Sequence, residues 1–384
     1  MSTLCYKISA ILTAVTPLHI GSGRRTGVIK RTYSYLPGTF LRGAVGISLI
    51  KSVCRLDRPI VKHEDCEFFG DCPYATLFGE EFGKASSVFF RYSYPVHVKC
   101  GGTYLPAPKT LYKCRNPQCG KVYDAIFPVK KCECGEDIEQ FHGFQCNRCG
   151  ELSEHPIAFS RTTSTAMNRS TSAGASVGDS KEQFGTLHTV ETIKKGSKFS
   201  AEILVSSRSA DHVDMLKAVF TRGLEDEGIG GQKSRGLGKV RVENVSMTEI
   251  KDDDVLAEAA KVSTGCFSVR LVSPMLLGGQ MLSAKSLLEG CRRGSTWLFH
   301  RGKPALKDVE LKASRVESET FSGWSLKTDQ RRRIEPAISA GSIFQFEADD
   351  KDEQLALGLA ALEFHAVGSY KPHGCGQVTI ESCR

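Results

Sequence analysis

The segment Gly230–Gly238, with the sequence GGQKSRGLG, joins a helix-like stretch to a strand pattern that begins at Lys239. Glycine allows the backbone to take positive φ angles and to approach a partner closely. Successive amide groups in such a segment can form an anion-binding concavity, beside which Lys233 and Arg235 add two positive charges. A single segment of this kind is also typical of an ordinary turn between a helix and a strand.

A second segment, Gly368–Val378 (GSYKPHGCGQV), repeats this pattern without a gap. In the alignment Gly230 matches Gly368, Lys233 matches Lys371, and the last two glycines of each segment also coincide. A helical pattern and, before it, a strand pattern precede each segment. The helical patterns are Val213–Leu224 and Leu355–Phe364, and the strand patterns are Phe199–Val205 and Ile343–Glu347.

The two halves also begin alike, since residues 11–21 and 269–278 both read as a strand that ends in Pro-x-x-x-Gly. An internal repeat of this length indicates duplicated structural units. We therefore predict an α+β chain of two modules, residues 1–250 and 262–384. Each module opens with the Pro-x-x-x-Gly strand and closes with strand, helix, glycine loop and strand.

The charge, the hydropathy and the cysteine content of the sequence narrow the classes of function that it can have. The 384 residues carry a net charge of +8, which is compatible with a polyanionic partner. No apolar run reaches the roughly 18 residues of a membrane span, and the first residues lack the apolar core of a signal peptide. We expect a cytoplasmic protein without membrane contact. In that compartment fifteen cysteines favour metal binding over disulfides.

Six of these cysteines lie within residues 112–152, where we predict a zinc-binding insert. They form three close pairs, and the second member of each pair precedes a glycine that relieves the tight turn of a metal knuckle. A redox cluster or free thiols are the alternatives. We predict one structural zinc ion bound by Cys114, Cys119, Cys146 and Cys149, with Cys132 and Cys134 as rivals for one pair.

A further group, Cys54, His63, Cys66 and Cys72, is either a second metal site or a set of buried free cysteines. Residues 160–190 are rich in Ser, Thr and Gly but carry Arg161 and Arg169, so we predict a flexible basic loop or hairpin tip.

Few residues have the pattern of a catalytic site. His19 ends the first strand and His373 lies in the second glycine segment, and either is a candidate acid or base for RNA cleavage. Arg42 stands in the first turn of a predicted helix, where a positive charge opposes the helix dipole and requires an acidic side chain or a phosphate as partner. Residues 331–333 form a short basic cluster in the second module.

The paired glycine segments resemble those of the RAMP superfamily of CRISPR proteins, whose modules are ferredoxin-like and related to RRM domains. The N-terminal runs 17–23 and 35–44 resemble RAMP subunits of type III effector complexes. Residues 103–108 and 165–169 are similar to the type III-D subunit that holds the 5′ handle of the guide RNA.

This resemblance implies a non-catalytic subunit that binds the 5′ handle of the crRNA and caps the effector complex. Its expected partners are the crRNA, the large polymerase-like subunit, the backbone RAMP subunits and, indirectly, the target RNA. The expected RNA-binding residues are Gly21, Ser22, Gly23, Arg24, Arg25, Arg42, Arg161, Asn168, Arg169, Gly230, Gly231, Lys233, Ser234, Arg235, Gly236, Gly238, Lys371 and His373.

Three other functions fit the same sequence. The first is an endoribonuclease that processes CRISPR precursor RNA with His19 or His373. The second is a backbone RAMP subunit that cleaves target RNA with a loop Asp. The third is a zinc-bearing assembly protein that makes no contact with RNA.

Overall fold

The structure is a computed structural model that describes residues 3–27, 29–56, 66–79, 85–127, 129–165, 187–300, 304–325 and 330–383. Between residues 166 and 186 it describes the short strands Met167–Asn168, Ala173–Gly174, Ser176–Val177 and Phe184–Gly185. The chain has a mixed α/β architecture, as predicted.

The first half contains a sheet with the strands β1 (Thr3–Ala14), β2 (Val88–Phe90), β3 (Lys198–Ser206) and β4 (Val240–Lys251). Their order is β4-β1-β3-β2, with antiparallel neighbours throughout, and Tyr94–Pro95 also pairs with β3. Alternate residues of β1 from position 8 to position 14 are buried, because successive side chains of a strand point to opposite faces.

The second half contains a sheet with the strands β5 (Cys266–Leu271), β6 (Glu310–Arg315), β7 (Ile343–Glu347) and β8 (Val378–Ser382). Their order is β6-β7-β5-β8, again antiparallel throughout. In both sheets, therefore, the first strand lies between the last and the third, and the second strand lies at an edge.

Helices cover one face of each sheet. In the first half these are α1 (Gly38–Val53) and α2 (Val213–Ala218), which continues through residues 219–223 to Leu224–Glu227. In the second half they are α3 (Ala284–Phe299) and α4 (Glu353–His365). The buried side chains of helices and strands form one apolar core in each half. The predicted helices before the glycine segments are thus confirmed, each a few residues longer than predicted.

The two glycine segments make matching hydrogen bonds. The amide of Gly231 donates to the carbonyl of His19, and the amide of Ser369 donates to the carbonyl of Leu276. Gly238 and Gly376 likewise donate to the carbonyls of Pro17 and Pro274. Each segment therefore folds back onto the Pro-x-x-x-Gly turn of its own half, and each contains one short 3-10 turn, at Lys233–Arg235 and at Lys371–His373.

The chain between β2 and β3 adds two further parts to the first half. One is a ribbon built from two three-stranded sheets, with the strands Tyr104–Pro106, Leu111–Cys114, Val122–Asp124, Ile138–Gln140, Phe144–Cys146 and Leu152–Ser153. The other is a four-stranded sheet that combines Phe159–Thr165 and Leu187–Ile193 from this stretch with Ile29–Thr32 and Gly21–Thr26, which lie between β1 and β2. The predicted basic loop at 160–190 therefore has paired strands at its base.

The remaining elements are short. In the first half they are the helix Pro73–Phe78 and the 3-10 turns Phe69–Asp71 and Ser207–His212. In the second half the strand Ser318–Phe321 pairs with Glu335–Ile338, and Trp324–Ser325 pairs with Gln330–Arg331. The helix Asp252–Ala259 connects the halves.

The two halves are joined through Arg91, which follows β2. Its Nη2 donates to the carbonyl oxygen of Glu363 at 2.7 Å, near the end of α4, and its Nε lies 2.7 Å from Oε1 of Glu202. An apolar cluster that includes Leu4, Val255 and Leu298 supports this junction. No helix in the described ranges is long and apolar enough to cross a membrane.

The preference for metal over disulfides does not hold for every cysteine. Cys266 and Cys383 form a disulfide, with their Cα atoms 5.4 Å apart. Because β5 and β8 are neighbours, the start of one strand and the residue after the other lie close enough to be linked.

The glycine segments provide a test of the fold. Gly376 and Gly236 both have positive φ, but a Cβ at Gly376 would lie 1.7 Å from the carbonyl oxygen of Val367, whereas a Cβ at Gly236 meets nothing within 4 Å. We expect Gly236→Ala to cost about 1 kcal/mol through backbone strain alone. Gly376→Ala should cost at least about 2 kcal/mol more, because the backbone must move. Urea unfolding of both variants measures the difference, and equal losses would contradict this packing.

Candidate functional site: a cationic cleft between the two halves

A cleft of about 1270 Å³ lies between the two halves of the chain. The first half contributes the start of the strand Gly21–Thr26, helix α1 and the segment that contains Lys233. The second half contributes residues 319–323, 331–335 and 369–373. Both glycine segments therefore border the same cavity, as expected if they act on one ligand.

Positive charge dominates this cleft. Two carboxylates of the described residues line it, Glu319 and Glu335, and Glu335 accepts a hydrogen bond from the hydroxyl of Tyr370 at 2.9 Å. Among the described side chains, five cations line it: Arg42, Lys233, Arg331, Arg332 and Lys371. The N-terminal part of the chain, much of which lines the cleft, carries only positive charges, because the first Asp or Glu of the sequence is Asp57. A concave surface with this excess of cations attracts anions.

Arg42 lies at the side of the cleft, over the ring of Phe78 at 4.6 Å. Its guanidinium donates hydrogen bonds to the carbonyl of Phe78 at 2.7 Å and to the hydroxyl of Ser86 at 3.3 Å. Burial lowers the pKa of Arg42 from 12.5 to about 10, and the nearby Arg332 also lowers it. The group is therefore charged at neutral pH, and both of these hydrogen-bonding partners are uncharged.

Arg332 enters the cleft from the second half. Its Nη2 lies 3.4 Å from Nε2 of His373, and its guanidinium lies 5.5 Å from the centre of the Tyr370 ring. Its Nη1 is buried and has no hydrogen-bond partner in the described part of the chain. Burial, Arg42 and Arg332 together hold the pKa of His373 well below 6.5, so this imidazole is neutral at pH 7.

Lys371 is half-buried in the same cleft. Burial lowers the pKa of its ammonium group from 10.5 to about 8, and Arg293 adds to this effect. Within the described ranges, no carboxylate lies within 4.0 Å of the charged groups of Arg42, Arg332 or Lys371. Like charges held together without counter-ions are destabilising, and a bound anion would remove that cost.

The glycines bring the backbones of the two halves together. A Cβ at Gly38, the first residue of α1, would lie 2.3 Å from the carbonyl of Phe90 and 2.6 Å from that of His373. A Cβ at Gly374 would lie 2.5 Å from the same Phe90 carbonyl. The start of α1 and the second glycine segment therefore touch across the junction, which places Arg42 beside His373.

Many amides of the glycine segments already donate hydrogen bonds to backbone carbonyls of the protein. In the first segment the amides of Gly231, Arg235, Gly236 and Gly238 donate to backbone carbonyls. These amides are therefore not free to bind an anionic ligand. The cations of the cleft are the groups that can bind one.

Aromatic rings form another wall of the cleft. Tyr33 and Tyr35 have ring centres 5.0 Å apart, and Tyr35 lies 5.7 Å from Tyr92. On the opposite half, Phe321 lies 5.4 Å from Tyr370. Rings beside cations provide surfaces on which unstacked bases can stack.

Not every predicted site residue lines the cleft. Those that do are Gly21, Ser22, Gly23, Arg42, Gly230, Lys233, Lys371 and His373. Gly231, Ser234, Gly236 and Gly238 belong to the same glycine segment but do not line the cavity. The structure describes the backbones of Arg24, Arg25 and Asn168, while their side chains, and all of Arg169 and His63, lie outside the described residues.

Three of the predicted residues have partners elsewhere in the first half. The Nδ1 of the buried His19 lies 2.8 Å from the carbonyl oxygen of Glu191. Arg161 and Arg31 both pair with the side chain of Glu191, at 3.3 Å and 2.9 Å. The guanidinium of Arg235 lies 3.3 Å from Nε2 of His188.

The predicted metal ligands divide into two groups. Cys114 and Cys119 lie with Cys132 and Cys134, with Sγ atoms 3.5 Å apart for Cys114 and Cys134 and 3.6 Å apart for Cys119 and Cys132. The amide of Cys134 and the hydroxyl of Tyr123 donate to the sulfur of Cys132 and help to lower the pKa of that thiol to about 6. A low thiol pKa favours the thiolate that binds metal.

Cys146 and Cys149 lie instead with His97 and Cys100. The predicted set of Cys114, Cys119, Cys146 and Cys149 is therefore not brought together, because the two pairs belong to different three-stranded sheets of the ribbon. Either group could hold a metal ion. Cys54, Cys66 and Cys72 line one small pocket, but they form no such group among the described side chains.

Comparison with known proteins defines the family. A sequence model of the RAMP superfamily matches residues 11–241, so the chain belongs to that superfamily. Over 79 residues it is 37% identical to the CRISPR system Cms endoribonuclease Csm3 of Methanothermobacter thermautotrophicus. That match covers 20% of this chain and 32% of the relative, about a third of its length.

A solved structure is also similar, the cryo-EM structure of the Type III-B Cmr-beta bound to cognate target RNA. The sequence identity is 14% and the TM-score is 0.34, over 64% of this chain and 62% of the matched chain.

Sequence reasoning missed several residues of the site. The basic cluster at 331–333 was visible, but only the fold places Arg332 against His373. His97 and Cys100 were missed because the prediction relied on pairs of cysteines, and Cys100 is paired with a histidine. The glycine after Cys100, like those after Cys119, Cys134 and Cys149, was the available signal.

The charge balance of the cleft predicts a measurable anion effect. Arg332→Met removes a like charge and a buried Nη1 that has no hydrogen-bond partner among the described residues, so the free energy of unfolding in chloride should change by at most about 1 kcal/mol. Added inorganic sulfate should raise the Tm of the wild-type protein clearly more than that of the variant. Thermal unfolding in matched ionic strengths of sulfate and chloride tests this, and equal shifts would argue against an anion site.

Proposed function

We propose that this protein is a non-catalytic RNA-binding subunit of a type III CRISPR ribonucleoprotein. The observation that carries the proposal is the cleft, where Arg42, Arg332 and Lys371 have no ion-pair partner among the described residues and lie beside two sets of aromatic rings. Phosphates supply the missing negative charge, and unstacked bases occupy the aromatic surfaces. Membership of the RAMP superfamily and the local similarity to a protein of a CRISPR system support the CRISPR part of this proposal.

The RNA in this proposal is the 5′ handle of the crRNA, held at one end of the effector complex. Arg42, Arg332 and Lys371 contact phosphates in the cleft, with Lys233 at its border. The large polymerase-like subunit and the backbone RAMP subunits are the protein partners, and the target RNA is contacted indirectly. This role implies a cytoplasmic location, where the guide RNA is assembled with its subunits.

We also propose that the two sheets are duplicated ferredoxin-like RAMP modules, 1–250 and 262–384, the first carrying the metal-binding ribbon. The shared strand order and the matching hydrogen bonds of the two glycine segments support this interpretation. Within the ribbon, Cys114, Cys119, Cys132 and Cys134 hold a structural zinc ion. Four thiolates fill a tetrahedral site, so no position remains for catalysis.

A second candidate is an endoribonuclease, since the curated relative is named as one. His19 and His373 remain the candidate acid or base. His19 is buried, with Nδ1 beside a backbone carbonyl, so only Nε2 could reach a substrate. A loop Asp would have to come from beyond residue 56, because no acidic residue precedes Asp57.

The salt dependence of RNA binding tests the proposed function. Each lost phosphate contact on a single strand should reduce the slope of log K against log salt by about 0.7. The double variant Arg332→Ala, Lys371→Ala should therefore reduce the slope by about 1.4 and weaken binding of crRNA. Fluorescence anisotropy across a salt series measures both quantities.

The matched control is Lys261→Ala, which removes an exposed cation that pairs with Glu258 outside the cleft. It should leave the slope unchanged. Equal effects of the control and the cleft variant would contradict the proposal. The recovered RNA is also run on a denaturing gel: cleavage of repeat RNA that His19→Ala or His373→Ala abolishes would favour the endoribonuclease.

The pKa of Lys371 gives the cleft a pH dependence. Because that pKa is about 8, the free protein loses this charge as the pH rises from 7 to 9. RNA binds the protonated form, so the Kd should rise by up to about tenfold over this range. Lys371→Arg stays charged and should flatten this part of the profile. Parallel profiles for the wild type and Lys371→Arg would contradict a phosphate contact by Lys371.

A further inference from the structure

Beside the ribbon lies a group of donor residues of which the sequence predicted only Cys146 and Cys149 as metal ligands. His97, Cys100, Cys146 and Cys149 each offer one ligand atom, and all four atoms lie within 4.8 Å of one another. We propose that this group binds a second zinc-like divalent ion, and that this ion fixes the aromatic wall of the cleft. The metal site itself does not depend on the proposed function.

The distances match a tetrahedral metal site. Sulfurs bound to one zinc ion at about 2.3 Å lie roughly 3.8 Å apart. The Sγ atom of Cys100 lies 3.4 Å from that of Cys146 and 3.6 Å from that of Cys149. Nδ1 of His97 lies 3.2 Å from the sulfur of Cys100 and 3.3 Å from that of Cys149. These sulfur separations are close to the spacing of a tetrahedral site.

The surroundings of His97 suit a ligand that binds through Nδ1. Such an imidazole carries its proton on Nε2, and that atom faces Oε2 of Glu151 at 3.6 Å. Nε2 is buried and has no hydrogen bond within the described chain. Metal-bound histidines commonly have a carboxylate at this second nitrogen, which orients the ring. Glu151 is thus a positioning residue, and the hydroxyl of Tyr104 donates to its other oxygen at 3.1 Å.

The backbone turns at both ligand pairs have the shape of metal knuckles. Gly101 and Gly150, which follow Cys100 and Cys149, have φ of 72° and 74°. The amide of Gly102 donates to the sulfur of Cys100 at 3.4 Å. Such donors stabilise a thiolate, and the exposed Cys149 leaves an entry path for the ion.

This group adjoins the aromatic wall of the cleft. Cys146 belongs to an apolar cluster with Tyr92, Tyr94, Tyr104, Phe144 and Val272, against which Tyr35 and Cys100 also pack. Tyr35 and Tyr92 line the cleft. Tyr94 donates its hydroxyl proton to the carbonyl of Val272 in the second half. An ion bound by His97 and the three cysteines would therefore hold in place a cluster of tyrosine rings that contacts both halves of the chain.

The Cys114 group has different surroundings. Leu111, which shares a strand with Cys114, belongs to an apolar cluster with Ala107 and Phe141, and none of these three residues lines the cleft. The two groups thus provide a matched pair of sites within one ribbon, and loss of an ion at each should have different consequences.

Metal analysis of the purified full chain tests the site. We expect two zinc ions per chain in the wild type, one in Cys100→Ser, one in Cys134→Ser and none in the double variant. Cys291→Ala, which removes a buried thiol of the second core, should keep two. A single ion that Cys134→Ser abolishes and Cys100→Ser leaves in place would overturn the proposal.

Two measurements remain decisive if a cysteine variant does not fold. Glu151→Gln keeps all four ligands and should lower the affinity of one ion by about 10–100-fold in a chelator competition. Cobalt substitution of the wild type should give sulfur-to-cobalt absorption from seven thiolates rather than four, since the second site has three sulfurs and one nitrogen. Unchanged competition together with a four-thiolate spectrum would exclude the second site.

The link to the cleft is tested separately. Cys100→Ser should alter the near-ultraviolet circular dichroism of the tyrosines more than Cys134→Ser does. If the proposed function is also correct, Cys100→Ser should bind crRNA several-fold more weakly than Cys134→Ser. Loss of one ion with equal circular dichroism in both variants would refute the link. An altered tyrosine signal with no crRNA binding even in the wild type would refute the proposed function alone.

Discussion

The contact of glycine with backbone carbonyls determines how this chain is assembled. In each half the glycine segment lies against the turn after the first strand, at distances that no side chain permits. The second segment also lies against β2 and the start of α1, so the same kind of contact joins the halves. Because backbone atoms meet directly, the cleft walls are held by hydrogen bonds and sterics rather than by flexible side chains.

This rigid frame holds a set of charges that would otherwise separate. Arg42, Arg332 and Lys371 come from different elements, and burial lowers the pKa values of Arg42 and Lys371. A protein that needed only stability would replace such groups with neutral ones. A concave site that holds such groups together is typical of a binding or catalytic site, which often costs folding free energy.

The sequence predicted the repeated parts of the fold better than the site. The strand at Ile343–Glu347 has the predicted bounds, because its apolar alternation and its flanking residues agree. The glycine alignment matched residues that make equivalent hydrogen bonds. The ligand set failed because spacing along the chain does not tell which pairs meet, and Cys146 pairs with residues that lie far before it. Arg332 could not be assigned either, since its position depends on the packing of one half on the other.

The junction at Arg91 limits how the protein can be dissected. Arg91 donates to carbonyls at the end of α4, and Leu298 and Ala360 are buried against residues of the first half. Cutting the chain near residue 255 would leave those carbonyls without their donor and expose an apolar surface on each fragment. Separately expressed halves would therefore be prone to aggregate, whereas co-expressed fragments could re-form the junction.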